Sequence, residues 1–296
     1  MVFDLKGVVV PTITPFTQNG DIDHEALKWL VEFLINHGVH GLFPGGTTGE
    51  GPLLSTTERF FLAESVVEIA SRRVPIIIHA GAITTRETIQ LAQHALDIGA
   101  DAIAVVPPYF YPYDDDALFA HFEAVLNSVP QLPVFIYSNP FILCSTVSPA
   151  LVNRLVNSFE NVVGIKDSSG EIDDLVAYAE LREGKFLTFI GNDAYALSAL
   201  SKGVDGCVAG NANVVPEFFV ALYNAVQEGD KPKADELFRQ TEKARLILGN
   251  GKIPLFKHAL ETRGIPRCWT RPPLDNISEK IVEDCRADFE AIFKNL

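Results

Sequence analysis

Four cysteines in 296 residues, at 144, 207, 268 and 285, form no CxxC pair and share no metal-ligand spacing. That argues against a disulfide framework and against a zinc site, and it fits a reducing compartment. Basic residues are outnumbered: 24 Lys and Arg stand against 38 Asp and Glu, for a net charge of −14. With no basic run anywhere, nucleic acid and anionic membrane surfaces are poor partners. No apolar run approaches the roughly 20 residues of a membrane helix. The opening MVFDLKGVVVPTITPF lacks the charged-then-apolar pattern of a signal segment. A cytoplasmic protein is expected. No GxGxxG turn follows a strand and no GK[ST] follows a glycine-rich loop, so dinucleotide and P-loop sites are absent from the motifs.

What is present is strand alternating with helix. The chain is 47% hydrophobic and 21% charged, the balance of a globular protein with a large core. Eight apolar runs read as strands: VVVPTIT (8–14), GLFPGG (41–46), PIIIHAG (75–81), DAIAVVPP (101–108), PVFIYSNP (133–140), VVGIKDSS (162–169), LTFIGND (187–193) and GCVAGNAN (206–213). Between them, stretches such as DHEALKWLVEFLINHG (23–38) and TTRETIQLAQHALDIGA (84–100) carry apolar residues at helical spacing. Asp23 is placed to cap the first of these and Gly38 to end it, while Ser55 or Thr57 can start the helix after the second strand. Near-continuous apolar strands suit a parallel sheet covered on both faces. The pattern predicts an α/β fold, a (β/α)8 TIM barrel over residues 1–225; an open doubly wound sheet is the weaker alternative. Beyond the eighth strand only helical patterns remain, so residues 226–296 are expected to form a C-terminal α-helical region packed on the barrel.

Active sites of such barrels sit at the C-terminal strand ends. The residues there are Thr12 and Thr14, the loop GGTTGEG (45–51), His79, the segment PPYFYPY (107–113), Tyr137, Ser138 and Asn139, Lys166, Asp167 and Ser168, Asn192 and Asp193, and Asn211 and Asn213. Lys166 is the single lysine in this set; the others fall in helices or loops, as surface lysines do. Burying a lysine charge is costly. Lys166 is therefore either a strand-end lysine that reaches solvent or pairs with Asp167, or an amine of depressed pKa that attacks a carbonyl. The loop GGTTGEG can aim hydroxyls and backbone N–H groups at an anion such as a carboxylate, or it can be a turn ahead of a helix cap. Tyr137 is a structural hydroxyl or, beside another hydroxyl, a proton relay. His79 has no second histidine at ligand spacing and reads as a core residue. Asp167 and Asp193 lie on neighbouring strands but lack a third carboxylate for a cation. The aromatic run 109–113 reads as a packed or subunit-facing loop, or as the wall of a pocket.

GGTTGE, YSNP and GIKDSSG, in this order on strands two, five and six, resemble the dihydrodipicolinate synthase / N-acetylneuraminate lyase family of class I pyruvate-dependent aldolases. GVVVPTITPF, GADAIAVVPPYFYP, IGND and RPPL extend the resemblance over essentially the whole chain. It implies a barrel with a helical tail, commonly a homotetramer, acting on pyruvate and an aldehyde with no metal or cofactor. Carried over, Lys166 is the Schiff-base lysine, Tyr137 the proton shuttle and Thr47 the relay hydroxyl. Thr48, with backbone N–H groups, would hold the pyruvate carboxylate. The Val208 backbone would face the pyruvyl group, and Gly191 would line the second-substrate pocket. Two positions depart from the pattern. Ile142 stands where the synthases have an arginine for the second substrate's carboxylate, and no arginine occurs from 87 to 153. Phe110 stands where a neighbouring subunit supplies a relay tyrosine, with Tyr109 and Tyr111 as substitutes. The expected activity is reversible cleavage of a 2-keto-3-deoxy sugar acid to pyruvate and a hydroxyaldehyde. A dihydrodipicolinate synthase, a sugar-acid dehydratase, a metal-dependent barrel enzyme and a keto-acid-binding barrel without turnover are the alternatives.

Overall fold

The computed structural model describes residues 3–274 and 277–293. Eight strands run through it: β1 (Gly7–Val10), β2 (Gly41–Leu42), β3 (Ile77–His79), β4 (Ala102–Val105), β5 (Val134–Ser138), β6 (Val162–Asp167), β7 (Leu187–Ile190) and β8 (Gly206–Val208). They alternate with α1 (His24–Asn36), α2 (Thr56–Ala70), α3 (Thr85–Asp97), α4 (Asp115–Ser128), α5 (Pro149–Ser158), α6 (Ile172–Ala179) with the short α7 (Leu181–Gly184), and α8 (Ala196–Ser201). All pairings are parallel, in the order β2-β1-β8-β7-β6-β5-β4-β3. A parallel bridge between Leu42 and Ile76 joins the two ends of that order, so the sheet curls into a nearly closed (β/α)8 barrel. After β8 come α9 (Pro216–Gln227), α10 (Lys231–Ile247), α11 (Ile253–Glu261) and α12 (Glu279–Phe293).

The helix signals act as expected. Asp23 accepts the Ala26 N–H at 3.0 Å, and Gly38 follows α1 with φ of 77°. Of the two candidates before α2, Ser55 is the cap: its hydroxyl and the Glu58 carboxylate satisfy each other's backbone N–H groups. The strands are shorter than their apolar runs. β1 stops at Val10 and β2 at Leu42, just ahead of Pro11 and Pro44. Proline has no N–H to give to a ladder, so the chain leaves the sheet there and its polar residues turn over the barrel mouth.

Side chains alternate between two cores. Val9, Phe43, Ala104, Phe135, Tyr137, Leu187, Phe189 and Val208 fill the barrel interior, whereas Val8, Val10, Ile103, Val105 and Ile136 pack outward against the helices. A fully buried apolar side chain of this size contributes about 1.5–3 kcal/mol. Strand β6 breaks the alternation. Val134 pairs with Val162, but the next residue, Phe135, pairs with Gly164, so Val163 is an extra residue. Such a bulge re-aims the side chains beyond it. Both Val163 and Gly164 face inward, Ile165 faces out, and Lys166 faces in beside Tyr137. Gly164 is required there: a Cβ would lie 2.5 Å from the Phe135 ring and 2.6 Å from the Leu187 carbonyl oxygen.

Candidate active site

The C-terminal strand ends enclose a cavity of about 360 Å³. Thr47, Thr48, Tyr137, Ile142, Lys166, Gly191 and Val208 all line it. Residues far apart in sequence converge because every strand end points to the same face. Phe110 does not join them. It is 64% exposed, edge-on to Tyr111 at 4.9 Å between ring centroids, and outside this chain's own cavity.

Lys166 sits at the cavity floor, 6% exposed. Its Nζ lies 3.8 Å from the Tyr137 ring centroid and 4.7 Å from that of Phe43. Pairing with Asp167 is ruled out by the strand itself, because adjacent residues face opposite sides. The Asp167 carboxylate instead accepts the Ser169 N–H at 2.6 Å and the Ser169 hydroxyl. Gly191 gives the lysine stem its room: a Cβ at that position would come within 2.9 Å of Lys166 Cε.

The Tyr137 hydroxyl is 3.3 Å from the Thr47 hydroxyl and accepts a hydrogen bond from Asn139 Nδ2 at 3.2 Å. Burial pushes this phenol up. The Lys166 charge and the hydrogen bonds from Thr47 and Asn139 outweigh it, so its pKa lies below the ordinary tyrosine value. A tyrosine so placed gives up its proton more readily than a free one. His79 packs edge-on against Tyr137, 5.8 Å between centroids. Buried Arg59 donates to the His79 carbonyl at 2.6 Å and to its Nδ1 at 3.2 Å. Burial, then the charges of Arg59 and Lys166, hold His79 well below the usual histidine range. It is a neutral core residue under the site.

The two aspartates near Lys166 do not converge on a cation. Asp193 accepts the N–H groups of Gly210 at 3.1 Å and Asn211 at 2.9 Å, and the Asn211 amide at 2.6 Å. Burial pushes its carboxyl up. Asp193 thus stitches the turn after β7 to the turn after β8. Among the described residues no group of three or more His, Cys, Asp or Glu side chains could hold a metal ion.

Two features escape a reading of the sequence. Lys257 in α11, grouped there with surface lysines, is 1% exposed. Its Nζ donates to Glu50 at 2.5 Å, to the Trp269 carbonyl at 2.6 Å and to the Thr14 carbonyl at 2.8 Å. Glu50 belongs to the GGTTGEG loop and has φ of 56°, and its own N–H donates to the Thr47 carbonyl at 3.1 Å. The C-terminal helices therefore brace the turn that carries Thr47 and Thr48. The second feature is Arg245, which lines the cavity from α10 together with Asn250 and Gly251. The absence of arginine from 87 to 153 does not leave the cavity without one. The i, i+3 spacing of Glu242 and Arg245 is visible in the sequence; which way that helix faces is not.

The family model for the dihydrodipicolinate synthetase family matches residues 4–292. The chain belongs to that family. A 4-hydroxy-tetrahydrodipicolinate synthase of Agrobacterium fabrum is 41% identical over 281 residues, covering 94% of this chain and 95% of that protein. A protein of Escherichia coli named "Probable 2-dehydro-3-deoxy-D-pentonate aldolase" is 34% identical over 281 residues, with 93% of each covered. Among solved structures, a prophage protein of the dihydrodipicolinic acid synthase family from Escherichia coli K12, in complex with pyruvate, superposes with a TM-score of 0.91 at 30% identity, covering 97% of this chain and 98% of that one. The named relatives are a synthase and a probable aldolase, and this family member is a lyase of the same barrel type.

Proposed function

We propose that the protein cleaves a 2-keto-3-deoxy sugar acid reversibly to pyruvate and a hydroxyaldehyde through a Schiff base on Lys166. The observation that carries the reading is the buried Lys166 amine facing the Tyr137–Thr47 hydroxyl pair. Lys166 Nζ attacks the C2 carbonyl and water leaves, forming an iminium. Tyr137 takes the proton from the C4 hydroxyl, with Thr47 sharing the charge. The C3–C4 bond breaks, its electrons pass into the iminium to form an enamine, and the aldehyde departs. The enamine carbon takes up a proton, and water hydrolyses the imine to pyruvate and free Lys166. Thr48 and the backbone N–H groups of its loop hold the carboxylate, and Val208 borders the methyl end. An acid–base group of this kind contributes about 10²–10⁴ in rate.

Ile142 supports an aldehyde without a carboxylate. It lines the cavity, is 37% exposed, and carries no charge to pair. The Escherichia coli pentonate aldolase relative supports the same substrate class. Residues 1–225 act as the catalytic barrel and 226–296 as its helical brace. The protein works as a homo-oligomer, a tetramer by family resemblance; the exposure of Phe110 at 64% and Tyr111 at 59% supports a covered face beside the mouth. Cytoplasmic work is part of this reading, supported by buried thiols at Cys207 and Cys268. No helix of the described residues is long and apolar enough to cross a membrane.

The test is incubation with pyruvate and borohydride, then peptide mapping by mass spectrometry. A reduced pyruvyl adduct on Lys166 is expected. Folded protein without an adduct refutes the imine mechanism.

A further inference from the structure

The outer wall of the cavity is built partly by α10 and the turn after it, through Arg245, Asn250 and Gly251. The Arg245 guanidinium is already engaged. Its Nε donates to Glu242 Oε1 at 2.8 Å, its Nη2 to Glu242 Oε2 at 2.7 Å, and its Nη1 to Asn250 Oδ1. Glu242 is not on the cavity wall; it holds the arginine from behind. The side chains of Arg245 and Glu242 are only 23% and 29% exposed, so water screens the pair incompletely. The Glu242 hydrogen bond holds the guanidinium pKa above its ordinary value, and Asp193 adds to this from across the cavity.

The chemistry of the fork has two consequences. The charge of Arg245 is cancelled locally by Glu242. The side-on two-pronged edge, Nε and Nη2, is occupied by a protein carboxylate. A guanidinium has five N–H donors, and the three bonds above leave one on Nη1 and one on Nη2. With the charge compensated by Glu242, those remaining donors can still bond hydroxyl oxygens of a neutral aldehyde. The neighbouring Asn139, Asn192 and Asn250 are uncharged, and Asp193, which also lines the cavity, is tied to Gly210 and Asn211.

This deepens the aldolase reading and rests on it. We propose that Glu242 is a specificity-determining residue: by pairing with Arg245 it makes the outer wall a neutral, hydroxyl-binding surface and excludes aldehydes that bear a carboxylate. Released from Glu242, Arg245 becomes a carboxylate anchor. The chain thus contains the cation for an acidic aldehyde and a built-in residue that withholds it.

The experiment measures kcat/KM for condensation of pyruvate with D-glyceraldehyde and with succinate semialdehyde, in the wild type, Glu242→Gln, Glu242→Ala and Glu242→Gln/Arg245→Met. The borohydride adduct at Lys166 is mapped in each. The wild type should prefer glyceraldehyde. Either Glu242 variant should raise the semialdehyde-to-glyceraldehyde ratio about tenfold, the scale of one charge-assisted contact. Adding Arg245→Met should erase that gain. Three results overturn the inference: a wild type that prefers the semialdehyde, a ratio that stays within about twofold in both single variants, or a gain that survives loss of Arg245. A wild type with no Lys166 adduct removes the aldolase reading and this inference with it. An adduct with an unmoved ratio removes this inference alone.

Discussion

The end of β6 and the middle of α11 each bury a lysine, and they do so in opposite ways. Lys257 meets three oxygen acceptors, one of them the Glu50 carboxylate, so each of its donors is used. Burial pushes its pKa down, the Glu50 charge pulls it back, and the net position is below the ordinary lysine value. Lys166 has aromatic faces instead, Tyr137 and Phe43, in a cavity open to a ligand. A buried lysine surrounded by acceptors is a strut. A buried lysine beside a hydroxyl pair and an accessible space is a reagent. Burial alone does not separate the two; the partners and the adjoining space do.

The largest effect should come from Lys166→Ala, which removes the nucleophile. Turnover should fall to background while the thermal transition stays near that of the wild type, checked by aldolase assay and calorimetry on one sample. Substantial residual turnover sinks the imine mechanism. Tyr137→Phe should come next, a loss of about 10²–10⁴ in kcat with the Lys166 adduct still formed. An unchanged rate removes the phenol from the relay.

Lys257→Met should invert that pattern. It leaves Glu50 buried without a countercharge, a loss of about 3–5 kcal/mol of stability, read as a lower urea midpoint at unchanged slope. Lys257→Met/Glu50→Gln should recover much of it, since no uncompensated charge remains. If the double variant is no better than the single one, the pair is not what holds the loop. The comparison would also fail if Lys257→Met lost activity at full stability, because Lys257 would then be acting in the reaction.

Ile142→Arg should have a smaller effect, a shift in relative kcat/KM towards an aldehyde bearing a carboxylate. No shift means that the side chain does not face that substrate. The prediction uses a position that the sequence alone exposes. The barrel itself is legible because eight apolar runs alternate with amphipathic helices, and the barrel brings strand ends together whatever their spacing. The orientation of Lys166 is not legible. It depends on Val163 being an extra residue against β5, a matter of register between two strands rather than of either strand alone. Lys257 passes for a surface lysine because α11, from Ile253 to Glu261, is covered on several sides by chain distant in sequence, including Thr14, Glu50 and Trp269. Arg245 escapes a strand-end inventory, which ignores the residues that a helical tail folds over the mouth.

The mildest test separates the fully buried brace from its half-exposed neighbour. Arg271 donates its backbone N–H to Glu50 at 2.8 Å and its Nη2 to Glu58 at 2.7 Å, so one residue ties the Lys257 brace to the start of α2. The Arg271 hydrogen bond, helped by the Ser55 groups, brings Glu58 down to about 2 from an ordinary 4.5. A carboxyl with a depressed folded pKa binds its proton more readily when unfolded. Its contribution is therefore complete above about pH 4.5 and disappears as pH falls towards about 2. The Glu58 side chain is 34% exposed and its partner 15%, so solvent screening limits the contribution to at most about 1 kcal/mol. Glu58→Gln should lower the urea midpoint at pH 6, and the gap to the wild type should narrow steadily as the pH is lowered from about 4.5 to about 3. A gap that does not change with pH would show that the glutamate acts through its fit in the cap and not through its charge, leaving the Lys257–Glu50 pair to tie the tail to the loop by electrostatics.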